Sequence, residues 1–441
     1  MVSQDDFSFW LNFSQASWDY QLIMADVWLK TFEEMKREGE GVNKWQHFLR
    51  VWSRIFDKNF AQQFGSQKAV IIQGEFLKLA ISLFSQQQEI FRELLKLWEL
   101  PQKITIEIFS LFYQHKIEMG VTPKIEIYRK DKMVLYRFVS QRESVNIPIL
   151  IVYALVNRPE ILDFRKGRSF IAGLVKAGFD VYLIDWGYPS YEDRYLTLDS
   201  YINGYINDCV EIIRDRHNIP QVNLLGICQG GTFSLCYSSL YPEKVKNLIT
   251  IVTPVDFHTN EGLLNVWSGG SLGSQALDID LMVDMLGNIP GNFFSLIFLM
   301  LKPFQLGVEK YVDLIEIIDS EDKLITFLTM EKWIFDSPDQ AGEAFRQFMK
   351  DFYQGNKLIK GNLEIGNKQV NLSKINRPVL NIYGTHDHLV PPNSSLALEK
   401  YIPNSDYTAL SFPVGHIGMF VSSKVQNVLT PKIAEWLEDK N

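Results

Sequence analysis

A cysteine lies in a glycine-rich turn of the type that exposes nucleophiles. The stretch VNLLGICQGGTFSLCYSSL places Cys228 between Gly226 and Gly230, in the pattern G-x-C-x-G. The apolar run before Cys228 predicts a strand and the run after it predicts a helix, and the glycines let these two elements approach. The dipole of that helix favours a thiolate at its N-terminus. The pattern indicates a covalent nucleophile; the alternative is a small buried cysteine beside a turn.

A carboxylate and an imidazole follow two predicted strands near the C-terminus. Asp387 follows the strand VLNIYG, and His416 follows a strand predicted from Tyr407 to Phe412. The chain order of nucleophile, acid and histidine is that of the α/β-hydrolases, in which the histidine takes the proton of the nucleophile. We therefore predict Cys228, Asp387 and His416 as the catalytic residues, with His388 as the alternative base.

Two backbone N–H groups should stabilise the oxyanion that forms when a nucleophile attacks a carbonyl group. One is predicted to belong to Gln229, directly after the nucleophile. The other should come from the loop that follows the first strand of the set, in the sequence YALVNR. There we predict Val156 and keep Leu155 as the alternative.

The elements that must position these residues follow an α/β pattern. From about Ile147 onward, short apolar runs alternate with stretches long enough for helices, such as residues 167–178 and 199–217. Buried runs in alternation with helices predict a mostly parallel sheet covered on both faces. The predicted fold class is α/β, with an α/β-hydrolase fold.

This alternation stops between about Phe257 and Leu372, where helical patterns continue and we find no strand pattern. A helical insertion between two strands is predicted to form a lid over the site. We therefore divide this part of the chain into a catalytic core over residues 116–256 and 373–441 and a lid over residues 257–372.

The first 115 residues predict a separate all-helical region. Apolar residues recur there at steps of three and four, which places them on one face of a helix; in the first helix they are Trp18, Leu22, Ala25, Trp28, Phe32 and Met35. A third helix is predicted to end at Pro101. The sequence leaves open whether this region mediates dimerisation or partner docking, anchors the protein to a surface, or supports the catalytic core.

Composition excludes several classes of function. The chain has 441 residues and a net charge of -8, and it lacks a basic tract, so we expect no nucleic-acid partner. Its three scattered cysteines predict neither a disulfide framework nor a metal site, which favours a reducing cytoplasm. The N-terminus does not resemble a signal peptide, and the longest apolar runs are shorter than the roughly 20 residues of a transmembrane helix.

Several long segments resemble the polyhydroxyalkanoate synthases, and specifically the catalytic subunit of class III. The resemblance extends from about Val121 to the C-terminus and is carried by PILIVYALVNRP, DVYLIDWGYP, LTLDSYINGYINDCV, VNLLGICQGG, TPVDF, MEKWIFDSPDQAGEAFRQFMKDFYQ, DHLVPP and GHIG. It implies that Cys228, Asp387 and His416 match the catalytic residues of the family. The N-terminal helices depart from the short form of the subunit and resemble its helical partner subunit.

The resemblance implies an acyltransferase that polymerises (R)-3-hydroxyacyl-coenzyme A, with 3-hydroxybutyryl-coenzyme A as the expected substrate, and releases coenzyme A. No cofactor is expected, because coenzyme A belongs to the substrate and leaves as a product. The expected partners are the growing polyester chain and the granule surface, a second copy in a homodimer, and a helical partner subunit. The expected location is the cytoplasm, on polyester granules. The alternatives are a cysteine-nucleophile thioesterase or dienelactone-type hydrolase, and a non-catalytic binding protein of the same fold.

Overall fold

Eight strands form the central sheet. The computed structural model describes residues 4–38, 45–84, 117–138, 147–259, 261–268, 277–317, 319–402 and 406–440. The strands are β1 Lys124–Lys130, β2 Met133–Phe138, β3 Ile149–Val152, β4 Val181–Asp185, β5 Val222–Ile227, β6 Val245–Ile251, β7 Leu363–Ile365, β8 Lys368–Val370, β9 Val379–Gly384 and β10 Tyr407–Phe412. Strands β7 and β8 form a separate hairpin.

The order of the strands across the sheet is β1-β2-β4-β3-β5-β6-β9-β10. Strand β2 pairs antiparallel with β1 and β4, and the other neighbours pair in parallel. Every residue of β3, β4 and β5 is buried, because helices cover both faces of the sheet. The carboxyl ends of β5, β9 and β10 therefore lie along the same edge of the sheet, which is where ligands bind in such folds.

Helices surround the sheet and build the insertion. In the described ranges the α-helices are α1 Gln4–Glu38, α2 Trp45–Phe64, α3 Gln67–Phe84, α4 Phe170–Lys176, α5 Asn207–His217, α6 Gln229–Leu240, α7 Leu263–Trp267, α8 Ile279–Leu286, α9 Gly291–Leu301, α10 Lys310–Ile317, α11 Glu321–Ile334, α12 Gly342–Gln347, α13 Lys357–Lys360, α14 Pro392–Leu396, α15 Gly418–Val421 and α16 Ser423–Lys440. Wider helical turns extend three of these elements, at Ser200–Ile206, Gln305–Glu309 and Phe348–Gln354.

Two parts of the sequence prediction differ from this fold. Strands β1 and β2 were not predicted. Strand β1 mixes apolar with charged residues at the sheet edge and lacks a continuous apolar run, whereas the apolar start of β2, residues 133–136, was an available signal. The prediction of no strand between Phe257 and Leu372 was wrong, since β7 and β8 lie there. Their turn is Gly366-Asn367, and both residues have a left-handed φ, of 56° and 60°. The strands are only three residues long, which hid them from a search for longer runs.

The predicted N-terminal helices are confirmed as far as the structure describes them. Helices α1 and α2 pack their apolar faces together around a cluster that contains Val27, Trp52, Ile55, Phe56, Phe60 and Phe64. The predicted continuation of the third helix from Phe84 towards Pro101 lies outside the described residues. Within the described ranges, no helix combines the length and apolar character that crossing a membrane requires.

The N-terminal helices are attached to the insertion by specific contacts. The buried carboxylate of Asp57 on α2 accepts hydrogen bonds from the N–H groups of Phe304 and Gln305, at 2.9 and 3.0 Å. The rings of Trp52 and Phe304 lie 4.1 Å apart, measured between centroids. The indole N–H of Trp267 donates to the carbonyl group at the end of α2, at 3.0 Å. The helical region thus contacts the insertion directly.

Candidate active site

Cys228 occupies the turn between β5 and α6 in a strained backbone conformation. Its φ is 53° and its ψ is -125°, a combination that few residues other than glycine adopt. Backbone hydrogen bonds hold it there, because its N–H donates to the carbonyl oxygen of Ile251 and its own carbonyl oxygen accepts from the N–H of Gly231, both at 2.9 Å. The turn therefore fixes the thiol at the start of α6.

Close packing explains the glycines around this cysteine. A Cβ atom at Gly230 would lie 2.2 Å from the carbonyl oxygen of Val152, and one at Gly226 would lie 2.4 Å from the Cα of Gly231. These neighbours are backbone atoms, which cannot move aside without shifting β3 or α6. The glycines allow the helix to start close to the sheet, as the sequence predicts.

Asp387 and His416 form a hydrogen-bonded pair. The Nδ1 of His416 lies 2.7 Å from the Oδ2 of Asp387. The other carboxylate oxygen of Asp387 accepts the N–H groups of Leu389 and Val390, both at 2.9 Å. The side chain of Asp387 is completely buried. Because both of its oxygens are occupied, Asp387 is held in one orientation relative to the imidazole.

The electrostatic environment favours a positive charge on His416. Burial by itself lowers the pKa of this imidazole, but the charges of Asp387 and Cys228 and hydrogen bonds to both side chains raise the pKa to about 10. His416 therefore interacts both with the thiol of Cys228 and with the carboxylate of Asp387. The structure thus brings together the three residues that the sequence predicts as catalytic.

The other histidines have different environments. Burial lowers the pKa of His388, and the positive charge of Lys302 lowers it further. His258 is hydrogen-bonded through Nε2 to the carbonyl oxygen of Tyr353 at 2.9 Å. It is therefore His416, rather than the alternative base His388, that the structure pairs with the carboxylate of Asp387.

The loop after β3 contains the predicted second oxyanion donor. The N–H of Leu155 donates to the side-chain oxygen of Gln229 at 3.0 Å, so this N–H is already engaged. Val156 is the next residue and is partly buried against the core. Gln229 begins α6, so its own N–H lies in the first turn of the helix. Gln229 and Val156 remain the predicted donors.

Two buried tyrosines that interact electrostatically with Cys228 were not found by sequence reasoning. Burial raises the pKa of Tyr153 and of Tyr353, and the charge of Cys228 raises both further. Tyr153 directly follows β3, and Tyr353 belongs to the helical turn after α12. The position of Tyr153 after a predicted strand was an available signal, whereas Tyr353 lies in the insertion and interacts with Cys228 only through the tertiary fold.

The remaining two cysteines are core residues. Cys209 and Cys236 are fully buried, and burial raises the pKa of each thiol. Cys228 differs from both because it is partly exposed. Among the described residues, no group of three or more His, Cys, Asp or Glu side chains is placed to hold a metal ion.

The fold defines the class of the protein. A family model described as the alpha/beta hydrolase fold matches residues 147–423, which contain β3 to β10 and all three clustered residues. Together with the strand order and the strained turn at Cys228, this match confirms the predicted α/β-hydrolase fold.

Close relatives define the family. The chain is 60% identical over 326 residues to the "Poly(3-hydroxyalkanoate) polymerase subunit PhaC" of Synechocystis, covering 74% of this chain and 86% of that protein. It is 54% identical to the PhaC subunits of Allochromatium vinosum and Thiocystis violacea, covering 77% and 75% of this chain and 98% and 92% of those proteins. The chain belongs to the family of poly(3-hydroxyalkanoate) polymerase subunits PhaC. Both the predicted family and the predicted enzyme class, an acyltransferase, are thereby confirmed.

Proposed function

We propose that the chain polymerises (R)-3-hydroxyacyl-coenzyme A, with 3-hydroxybutyryl-coenzyme A as the main substrate, into polyhydroxyalkanoate and releases coenzyme A. The names of the relatives support the reaction. The observation that carries the proposal is the partly exposed thiol of Cys228, which shares a hydrogen-bonded imidazole with the buried carboxylate of Asp387. This arrangement suits the formation of a covalent thioester on the enzyme.

In the first half-reaction, the thiolate of Cys228 attacks the thioester carbonyl of the substrate. The oxyanion is stabilised by the N–H groups of Gln229 and Val156, each typically worth about 3 kcal/mol. The carbon–sulfur bond to coenzyme A then breaks. The departing thiolate takes its proton from His416, which carries that proton at neutral pH because its pKa is raised to about 10.

In the second half-reaction, the 3-hydroxyl group of another acyl unit attacks the thioester carbonyl on Cys228. His416, now neutral, takes the hydroxyl proton, and the sulfur of Cys228 leaves as a thiolate. A new ester bond forms, and the enzyme returns to its starting state. Coenzyme A enters as part of the substrate and leaves as product, so no separate cofactor takes part.

A thiol suits this reaction better than a hydroxyl group. Transfer of an acyl group from one thioester to another is nearly balanced in free energy, so the acyl group stays activated on the enzyme. A serine would form an oxygen ester, which has little driving force for transfer to the next hydroxyl group. The insertion is proposed to act as a lid that limits the access of water to Cys228, because attack by water would turn polymerisation into hydrolysis.

The role of Asp387 is proposed to be the orientation of His416. The alternative is direct activation of the substrate hydroxyl group. Both oxygens of Asp387 are engaged, and its side chain has no exposed surface. These contacts support the orienting role, because a carboxylate that activates a substrate needs an oxygen that faces the substrate.

The polymerase proposal is tested with purified protein and (R)-3-hydroxybutyryl-coenzyme A. We expect release of coenzyme A, measured by thiol titration, together with turbidity from insoluble polymer. Cys228→Ala should abolish both signals while circular dichroism stays unchanged. Cys236→Ala, which removes a buried thiol elsewhere in α6, is the matched control and should keep both. Free 3-hydroxybutyrate without polymer would identify a thioesterase instead, and release of coenzyme A at the parent rate by Cys228→Ala would exclude the covalent thioester.

The role of Asp387 is tested by separating the two half-reactions. Asp387→Asn should slow acylation of Cys228 and chain growth by the same factor if Asp387 only orients His416. Single-turnover acylation with butyryl-coenzyme A, which lacks the 3-hydroxyl group, measures the first step alone. A selective loss of chain growth would assign hydroxyl activation to Asp387.

A further inference from the structure

The side chain of Gln229 links the start of α6 to the loop after β3. Its oxygen accepts the N–H of Leu155 at 3.0 Å, and both residues are buried. The hydrogen bond joins two segments that are 74 residues apart in sequence. The same glutamine supplies the backbone N–H that directly follows the nucleophile. One residue is therefore connected to both predicted halves of the oxyanion hole.

Other contacts hold the two ends of this loop. At its start, the indole N–H of Trp186 donates to the carbonyl oxygen of Tyr153 at 2.9 Å. At its end, Asn157 has a left-handed φ of 56° and donates its side-chain amide to the carbonyl oxygen of Ile334 at 3.3 Å. The hydrogen bond from Leu155 to Gln229 lies between these anchors. It therefore fixes the middle of the loop, where the second donor is predicted.

An oxyanion donor needs accurate placement. The N–H of Val156 belongs to the peptide group that follows Leu155, so the orientation of Leu155 sets the direction of this donor. Stabilisation of a developing negative charge depends on donors that are already in place when the charge forms. A loop that rotates about Leu155 would lose this preorganisation even if the thiol, imidazole and carboxylate stayed in position.

We propose that the side chain of Gln229 is a positioning residue for acyl transfer, because it aligns the loop that carries the Val156 donor. The proposal rests on the covalent mechanism given above and adds a function for a side chain that the mechanism does not use. Gln229 acts through Leu155 and need not touch the substrate with its side chain.

Two reactions of the same thiol separate this role from a general effect on the fold. Acyl transfer to Cys228 forms an oxyanion, whereas alkylation of Cys228 by iodoacetamide displaces iodide and forms none. Loss of alignment in the oxyanion hole should therefore slow the first reaction and spare the second. A disturbed turn or a displaced His416 should slow both.

The experiment compares Gln229→Met with Gln347→Met. Gln347 accepts the N–H of Leu198 at 2.8 Å, so it makes the same type of hydrogen bond away from Cys228. We expect Gln229→Met to lower kcat for coenzyme A release about 10- to 100-fold at nearly unchanged KM, as for a misplaced catalytic group. Its rate of Cys228 alkylation should stay close to that of the parent, and Gln347→Met should match the parent in both reactions.

A second variant separates loss of the hydrogen bond from misfolding of Gln229→Met. Gln229→Asn keeps the amide but is one methylene shorter, so its oxygen should fail to reach Leu155, and kcat should fall again. Parent-like kcat in both Gln229 variants would overturn the proposal, as would an equal loss in alkylation and acyl transfer. Failure of the polymerase mechanism is a distinct result, because the parent enzyme itself would then release no coenzyme A.

Discussion

The nucleophile turn and the N-terminal helices differ in how completely they are packed into the protein. Backbone hydrogen bonds, close packing at Gly230 and completely buried strands hold Cys228 in place. Helix α1 instead leaves a row of large apolar side chains exposed, with exposed fractions of 59% for Trp18, 52% for Leu22, 64% for Leu29 and 55% for Phe32. The family match at residues 147–423 includes the turn and excludes these helices. The chemistry thus belongs to the tightly constrained region, and the helices are joined to it through the insertion.

The contact between the N-terminal helices and the insertion, called the joint below, is polar as well as aromatic. Asp57 is buried and accepts two backbone N–H groups of the insertion, and the Trp52 ring packs on Phe304. At the surface, Arg50 pairs with Asp313 and Glu316 of α10. Substitutions in the turn should therefore remove activity, whereas substitutions at the joint should mainly lower stability.

Among variants that keep the catalytic side chains, the largest effect is expected from Gly230→Ala. The added methyl group would lie 2.2 Å from the carbonyl oxygen of Val152 and 2.5 Å from that of Tyr153, so the turn must open. We expect coenzyme A release to fall more than about 100-fold. Gly204→Ala is the control, because the nearest atom to its Cβ lies 3.9 Å away within a helical segment. It should keep activity and gain about 0.5–1 kcal/mol of stability. Retention of most activity by Gly230→Ala would show that the turn is less constrained than its packing indicates.

A pH-dependent effect is expected from His416. Its pKa in the folded protein, about 10, lies above the ordinary value of 6.5. Its stabilising contribution is therefore fully present below about pH 6.5 and is lost as the pH rises through about 10. The difference in free energy of unfolding between the parent and His416→Gln, measured in urea, should shrink over this range. A difference that stays constant with pH would show that His416 is not charged in the folded state.

A moderate effect is expected from Asp57→Ala at the joint. The variant leaves two buried N–H groups without their acceptor, which costs about 1–3 kcal/mol of unfolding free energy. Asp57→Asn should cost less, because its amide oxygen can still accept a hydrogen bond. Urea titration measures the stability, and coenzyme A release should fall far less than in Gly230→Ala. A loss of activity as large as that of Gly230→Ala would show that the helices take part in the chemistry.

The smallest effect is expected from Leu29→Gln on the exposed row of α1. Because Leu29 is largely in solvent, the unfolding free energy should change by no more than about 0.5 kcal/mol. Val27→Ala, which truncates a fully buried neighbour in the same helix, should cost more than about 1 kcal/mol. A large loss of stability in Leu29→Gln would show that another surface covers this face in solution.

The sequence predicts those features that depend on short-range patterns. Cys228 and its turn can be predicted because the glycines, the strand and the helix all lie within one short stretch of sequence. Asp387 and His416 could be ordered by their positions after predicted strands, and the edge of a parallel sheet brings such positions together. The clustering of these three residues in the structure agrees with that expectation. The fold class follows from the same alternation of strands and helices.

The features that sequence reasoning missed depend on contacts between distant segments. The mixed composition of β1 and the short length of β7 and β8 gave too little pattern to recognise them. The interaction of Tyr353 with Cys228 depends on the tertiary fold of the insertion. The engagement of Leu155 by Gln229 and the capping of Phe304 by Asp57 join residues 74 and 247 positions apart, respectively. The periodicity of apolar residues within a short stretch of sequence carries no information about such pairs.

The position of β10 at the end of the sheet has a consequence for heat inactivation. Strands β5 and β9 each have a neighbour on both sides, whereas β10 pairs only with β9 among the described strands. Outer strands exchange their amide hydrogens and fray at lower free-energy cost than central ones. On warming, β10 should therefore unfold before the central strands. His416, which follows β10, would then move away from Cys228, so activity should be lost at a lower temperature than that at which the domain unfolds.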